Sequence, residues 1–304
     1  MGKIGRNLAQ QELHGTLGDN NRRLEYFRRL IDGAPWDKGD SQGLRFYKNE
    51  LYLVDWDRSR IFVFDQGGAF IRSFGKDGSG SGEIKNPFDC HVYEDEVYVA
   101  DQENHRIDVF STGGVYKRKW GTEGAGDGQF EYPMGIFVYK GELYVVDKYN
   151  YRFQIFDPDG TFKRKFTLTY GSGPGQTRGP NFIAIYNDEI FRSDYNTPII
   201  VTDLYGTYKR QFGTQGTGNG QLAGSGYRNF ISIFKDEVFI TDGGNNRVQV
   251  FDLQGNYKRK WGSVGTGPNH FNYPSGITNG RTGVYISSGE NGNYQVFSKS
   301  SLQG

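Results

Sequence analysis

The chain has 304 residues, with 36 Lys and Arg against 35 Asp and Glu, so no overall field draws it to nucleic acid or to an anionic membrane surface. Gly at 45 residues, Tyr at 21 and Phe at 23, with a hydrophobic share of only 35%, exclude a helical bundle and describe a turn-rich, all-β protein. The lone Cys90 excludes an internal disulfide framework and any cysteine-based zinc cluster.

The N-terminal run MGKIGRNLAQQELHG has no apolar signal-peptide core, and Arg6 stands where a myristoylation signal needs Ser or Thr. No stretch approaches the ~18–20 apolar residues of a membrane helix, so a soluble and, with one cysteine, intracellular protein is expected. Residues 1–19 are expected to form a mobile or partner-bound tail, and residues 20–304 a single domain. LEYFRRLID, Leu24 to Asp32, then resembles the pattern of YKRKWG and FIRSFG further along.

From residue 51 onward an apolar run ending in an acid recurs: LYLVD at Asp55, VYVAD at Asp101, LYVVD at Asp147, IFRSD at Asp194, VFITD at Asp242 and, altered, VYISS at Ser288. The gaps are 46, 46, 47, 48 and 46 residues. The third unit reads as four alternating strands, GIFVYK, ELYVVD, RFQIFD and GTFKRKF, joined by short turns. A four-stranded meander of about 40–50 residues repeated six times predicts an all-β, six-bladed β-propeller of antiparallel blades. The sixth unit supplies SGIT, VYISS and YQVF with no fourth strand, so Leu24–Leu30 is predicted to complete the last blade as its outer strand.

The run GTEGAGDGQFEYPMGIFVYKGELYVVDKYNYRFQIFD resembles an NHL repeat, and GNNRVQVFD shares that ending. The resemblance covers about nine-tenths of the chain by repetition of the pattern. It implies a six-bladed propeller whose relatives include RNA-binding and protein-binding modules, sensor domains and, more distantly, peptide-amidating lyases; fold follows from it far better than function. Its Asp-x-x-Asn-x-Arg element sets Asp101 with Arg106, Asp147 with Arg152 and Asp242 with Arg247. Asp55 with Arg60 has the same spacing, although Arg58 replaces the Asn. These pairs are expected to pin turns and join blades, with Asn104, Asn150 and Asn245 at positive φ. Blades 4 and 6 lack the pair and should have looser turns. The glycine-rich loops lead into strands rather than helices, so they are not expected to cradle phosphate.

Catalytic residues are hard to assemble. His14, His91, His105 and His270 fall at unrelated places in the repeat, which argues against the three-histidine site a lyase would need. The position thirteen before each anchor holds Gln42, Phe88, Met134, Asn181, Asn229 and Ser275. A hard cation at the channel mouth would have Asp89, Asn181 and Asn229 as its set. Asp89 lies twelve before its anchor, and adjacent strand positions face opposite ways, so convergence needs a register shift. No cofactor is expected.

Two surfaces remain. The loop face carries about −5 net charge, which disfavours phosphates there, and it presents Trp36, Trp56, Tyr149, Tyr151 and Tyr195, side chains suited to protein contacts. The outer strands carry a basic rim: Arg28, Arg29, Arg72, Lys117, Arg118, Lys119, Lys163, Arg164, Lys165, Lys209, Arg210, Lys258, Arg259 and Lys260. Guarding exposed edges is one use of such a rim; contact with an acidic protein or with nucleic acid is another. A non-enzymatic scaffold for protein contacts is the leading expectation, with a nucleic-acid-binding rim and a metal-dependent channel enzyme as alternatives.

Overall fold

A computed structural model of the chain describes residues 26–29, 41–195, 198–224, 229–267, 269–281, 283–288 and 293–298; the expected tail at 1–19 lies outside them. They form six four-stranded antiparallel sheets, the blades of a six-bladed propeller. Blade 3 is representative, with strands Pro133–Tyr139, Glu142–Asp147, Arg152–Phe156 and Phe162–Thr167. Its second strand is buried from Leu143 to Asp147, because the blades stack face to face and an inner strand is covered on both sides. The fourth strand alternates between half-buried and exposed, as an outermost strand should. Among the described residues, no helix is long and apolar enough to cross a membrane.

Turn chemistry sets the registers. First and second strands are joined by two-residue turns with both residues at positive φ, as at Lys48-Asn49, Glu94-Asp95 and Asn187-Asp188; this backbone matches the twist of a tight hairpin. Third and fourth strands meet at a glycine such as Gly114, φ 88°. A Cβ there would lie 2.9 Å from Phe74 of the preceding blade, so this turn packs against its neighbour only because the side chain is missing.

The ring closes as the sequence predicts. Tyr26–Arg29 pairs antiparallel with Asn293–Ser298, in register Tyr26 to Phe297 through Arg29 to Tyr294, and is the outer strand of blade 6. Leu24 and Leu30, the bounds of the expectation, lie outside the described residues.

The Asp-x-x-Asn-x-Arg elements fasten the loop that enters each blade, by a denser arrangement than simple pairing. Arg152 Nε donates to Asp147 at 2.7 Å, and its Nη atoms donate to the carbonyls of Ala125, Gly126 and Gln129 in the loop entering the blade. Arg106 and Arg247 repeat this on Asp101 and Asp242 and on their own loops. Two expectations need correction. Asp55 is bonded to Arg58, at 3.1 Å, while Arg60 donates to Ser73 Oγ: the arginine nearer in sequence captures the acid. Positive φ falls on His105, Tyr151 and Asn246, one residue after each Asn. Asn104, Asn150 and Asn245 instead use Nδ2 to bridge the anchor acid and a loop glycine carbonyl.

Blades 4 and 6 are tied by other means. In blade 4, Arg192 donates to the carbonyls of Gly175 (2.8 Å) and Gln176 (3.2 Å), doing from the second strand what a third-strand arginine does elsewhere. Burial pushes its guanidinium down to about 10. In blade 6, Ser288 Oγ accepts the amide of Asn272.

Blade 2 carries the weakest variation. Gln154 and Gln249 each accept a glycine amide through Oε1 and donate through Nε2 to a loop carbonyl and the anchor acid. Asp108 stands at that place in blade 2, fully buried beside the fully buried Asp101, both against Arg106, and its Oδ1 has no partner. Burial raises both carboxyls above the ordinary range, and the neighbouring Asp108 raises Asp101 further. Raised folded-state values mean that stability is fully present below about pH 4 and is lost as the pair ionises at higher pH. Asp108→Gln is therefore expected to stabilise the protein by about 1–3 kcal/mol at pH 8, with the gain shrinking toward pH 4; urea midpoints at the two pH values check both the sign and the trend.

Candidate functional site

The first strands line the central channel, and its interior is filled. Arg45, 8% exposed, donates through Nη2 to Asp89 Oδ2 at 2.7 Å and through Nη1 to the Leu44 carbonyl, and its guanidinium lies 4.7 Å from the Phe182 ring centroid. Phe230 stacks on Phe88 at 5.8 Å and meets Phe182 at 4.7 Å. Blades 1 and 4, and blades 2 and 5, face each other across the ring, so these contacts span the channel and plug it.

Asp89 is wholly buried and committed: Oδ2 also accepts the Ile136 amide at 3.1 Å, and Oδ1 accepts the Cys90 amide at 2.9 Å. Burial pushes its carboxyl up to about 7 against the pull of Arg45. With a guanidinium already on it, Asp89 is a poor cation ligand. The first strand of blade 4 has a register irregularity, with Asn181 and Phe182 between the paired positions Pro180–Asp194 and Ile183–Arg192, and blades 1, 3 and 6 have the same one. Asn181 and Asn229 are 4% and 1% exposed. Among the described residues, no three His, Cys, Asp or Glu side chains group as metal ligands. His91 packs on Phe137 at 4.5 Å, and burial beside Arg45 holds its imidazole well below the ordinary range; His105 accepts the Tyr132 amide.

The loop face carries a row of aromatics. His105 meets Tyr132 at 5.0 Å, Tyr132 meets Tyr149 edge-on at 5.1 Å, and Lys148 Nζ sits 5.3 Å from the Tyr149 ring centroid. A Cβ on Gly179 would lie 3.4 Å from Lys148 Cε and 3.6 Å from Tyr195 Cβ, so the row continues to Tyr195 across that glycine. Tyr151 pairs with Tyr170 at 5.2 Å. Tyr149, Tyr170 and Tyr195 are 46%, 63% and 44% exposed. Trp56 is half-buried, with Nε1 on Gln102 at 3.1 Å; Trp36 lies outside the described residues. Sequence reasoning passed over Tyr132, although Asn86 and Tyr273 hold the same place before a proline and all three share positive φ.

The basic rim divides by residue type. Arg118 forks onto Glu96 and also donates to the Tyr98 hydroxyl and to the Pro158 carbonyl of blade 3. Arg72, Arg164, Arg210 and Arg259 repeat the fork on Glu50, Glu142, Glu189 and Glu237. Lys117, Lys163, Lys209 and Lys258 share those glutamates from the exposed side, and Lys165 pairs with Asp127. The cations hold Glu96 and Glu142 down to about 2. Lys119 donates to the Ser79 carbonyl, and Lys260 is exposed. Arg28 and Arg29 belong to the closing strand, whose backbone alone is described.

Comparison with known proteins agrees with the fold. A family described as a 6-bladed beta-propeller matches residues 39–92 and 226–287, and no curated protein matches the sequence. Among solved structures, the chain is similar to a Bacteroides thetaiotaomicron protein of unknown function, at 17% identity over 93% of this chain and 72% of that one, with a TM-score of 0.67. It is also similar to a gluconolactonase of Xanthomonas campestris, at 11% identity, 91% and 90% coverage and a TM-score of 0.65. A streptogramin B lyase follows at 15% identity, 90% and 96% coverage and 0.61. At such identities these likenesses carry the fold alone.

Proposed function

We propose that this protein is a non-enzymatic, NHL-type propeller that binds a protein partner or builds an assembly through its loop face. The observation that carries the reading is the aromatic row from half-buried Tyr132 to exposed Tyr149 and Tyr195, flanked by half-buried Tyr151 and exposed Tyr170. Large, rigid rings with wet polar tips are what a protein interface uses as anchors. The chemistry of the channel favours the same reading, because Asp89 is held by Arg45 and two amides.

The rival nucleic-acid rim is less favoured by the local electrostatics. Each forked glutamate partly neutralises the cations beside it, and the arginines are spent on holding neighbouring blades. The lysines are what such a rim would offer, and binding through them would fall steeply with salt.

Capture from lysate with the intact protein, with and without nuclease, and with a Tyr149→Ser/Tyr195→Ser variant, tests the proposal. A stoichiometric protein held by the parent, resistant to nuclease and lost from the folded variant, is the expected result. Retention by the variant, or recovery only of nucleic acid, overturns it.

A further inference from the structure

The residue before the proline that opens a first strand differs from blade to blade. Blades 2, 3 and 6 carry Asn86, Tyr132 and Tyr273 there, and blade 4 carries Gly179. Asn86 Nδ2 reaches back to the Trp56 carbonyl, and Tyr132 packs on His105, so these side chains cover the turn of the preceding blade. Gly179 has no side chain to do so. Its Cβ position lies at ordinary contact distance from Lys148 Cε and Tyr195 Cβ, 3.4 and 3.6 Å, and the glycine is buried. The Tyr195 amide donates to its carbonyl at 3.0 Å. Lys148 therefore crosses from blade 3 onto the backbone of blade 4, with its ammonium 5.3 Å from the Tyr149 ring centroid.

A second cation stands at the same glycine. Arg178 is exposed; its amide is fixed on Asp194 Oδ1 at 3.1 Å, and its guanidinium pairs with no acid among the described residues. That sets it apart from the rim arginines, which are forked onto glutamates. The buried acids below are occupied, Asp147 by Arg152 and Asp194 by the Thr177 hydroxyl. The entry loops of blades 4 and 5, residues 168–180 and 213–224, contain no acid at all. Glu123, Asp127 and Glu131 belong to the entry loop of blade 3, and Glu131 borders the aromatic row, its carbonyl accepting the Tyr149 amide. An acidic face thus carries a cationic spot between Tyr149 and Tyr195.

We propose that this spot receives an acidic side chain of the protein partner, an Asp or Glu held by Lys148 and Arg178 with an apolar neighbour against Tyr149 or Tyr195. This rests on the protein-partner reading and names the chemistry of that partner. Charge selects the class: a carboxylate gains charge-assisted contacts with both cations, whereas a Lys or Arg would meet like charge. Packing of the half-buried Lys148 stem on Gly179 leaves less freedom to be lost on binding. The total of about −5 on the face opposes a polyanion, but with a screening length of about 8 Å at physiological salt a single carboxylate answers to the cations beside it. A short segment with one or two acids fits this pattern, and a nucleic-acid backbone does not.

Selection of random dodecapeptides displayed on phage against the intact protein tests it. The enriched peptides are expected to share an Asp or Glu, and a synthetic copy is expected to bind at least about tenfold more weakly to Lys148→Ala and to Arg178→Ala. Binding should also weaken with added salt. Arg178→Glu should abolish it, and a peptide with Lys in place of the shared acid should restore it. Surface changes of this kind leave stability nearly unaltered, so the variants should melt with the parent. Peptides that lack an acid yet are lost from Tyr149→Ser/Tyr195→Ser overturn this inference and leave the protein-partner reading standing. Enrichment only of peptides indifferent to the cations and the tyrosines alike overturns both. No enrichment, or displacement of the peptide by oligouridylate, which would give the cations to phosphate, overturns this inference.

Discussion

Replacing Asp89 by Ala is expected to lower the unfolding free energy by about 3–5 kcal/mol. Denaturant titration reads the loss as a fall in midpoint at unchanged slope. The cause is local: the substitution leaves Arg45 charged and buried beside Phe182 and strips the Cys90 and Ile136 amides of their acceptor. Removing both charges should cost far less. Arg45→Met combined with Asp89→Ala takes away the buried cation together with its partner, and the difference between the single and double variants measures the coupling. A single variant as stable as the parent would show that the pair does not hold blades 1, 2 and 3 together.

Deleting residues 1–30 is the second large effect expected. It removes the outer strand of blade 6 and uncovers the backbone edge of Asn293–Ser298 at four paired positions. At about 1 kcal/mol for each lost hydrogen bond, the loss is roughly 2–4 kcal/mol before any side-chain packing is counted. The uncovered edge is also a template for pairing with a second molecule. The truncated protein should melt lower and self-associate, and a peptide spanning residues 20–32 should reverse both effects. Unaltered melting would mean that the ring is held shut without its terminal strand.

The closing strand was legible because its apolar and basic alternation copies the other outer strands, and the blade count because the anchor acids recur at nearly one spacing. What escaped sequence reasoning depends on side chains meeting across blades. Arg45 and Asp89 belong to different blades, and nothing local in either marks the other as its partner. The arginines of the rim read as exposed charge, yet alternation along the outer strand turns Lys117 and Lys119 outward and Arg118 toward Glu96. Spacing alone also misassigned the acid of blade 1, since Arg58 and Arg60 compete for it and reach decides. The aromatic surface was legible in part: Tyr149 and Tyr195 were picked from their places in loops, whereas Tyr132 was hidden by its proximity to a strand.

The rim arginines act in one rotational sense. Arg72 reaches the Thr112 carbonyl, Arg118 that of Pro158 and Arg210 that of Leu253, each on the following blade. Links of that kind carry no memory of how many blades the ring contains. A gene gaining or losing one repeat would keep every link and need only a new seam. The rings of Phe88, Phe182 and Phe230, with Arg45 reaching toward them, touch across the centre and would not touch in a wider ring. In this ring, therefore, the contacts that depend on blade number lie at the axis, and those at the periphery do not.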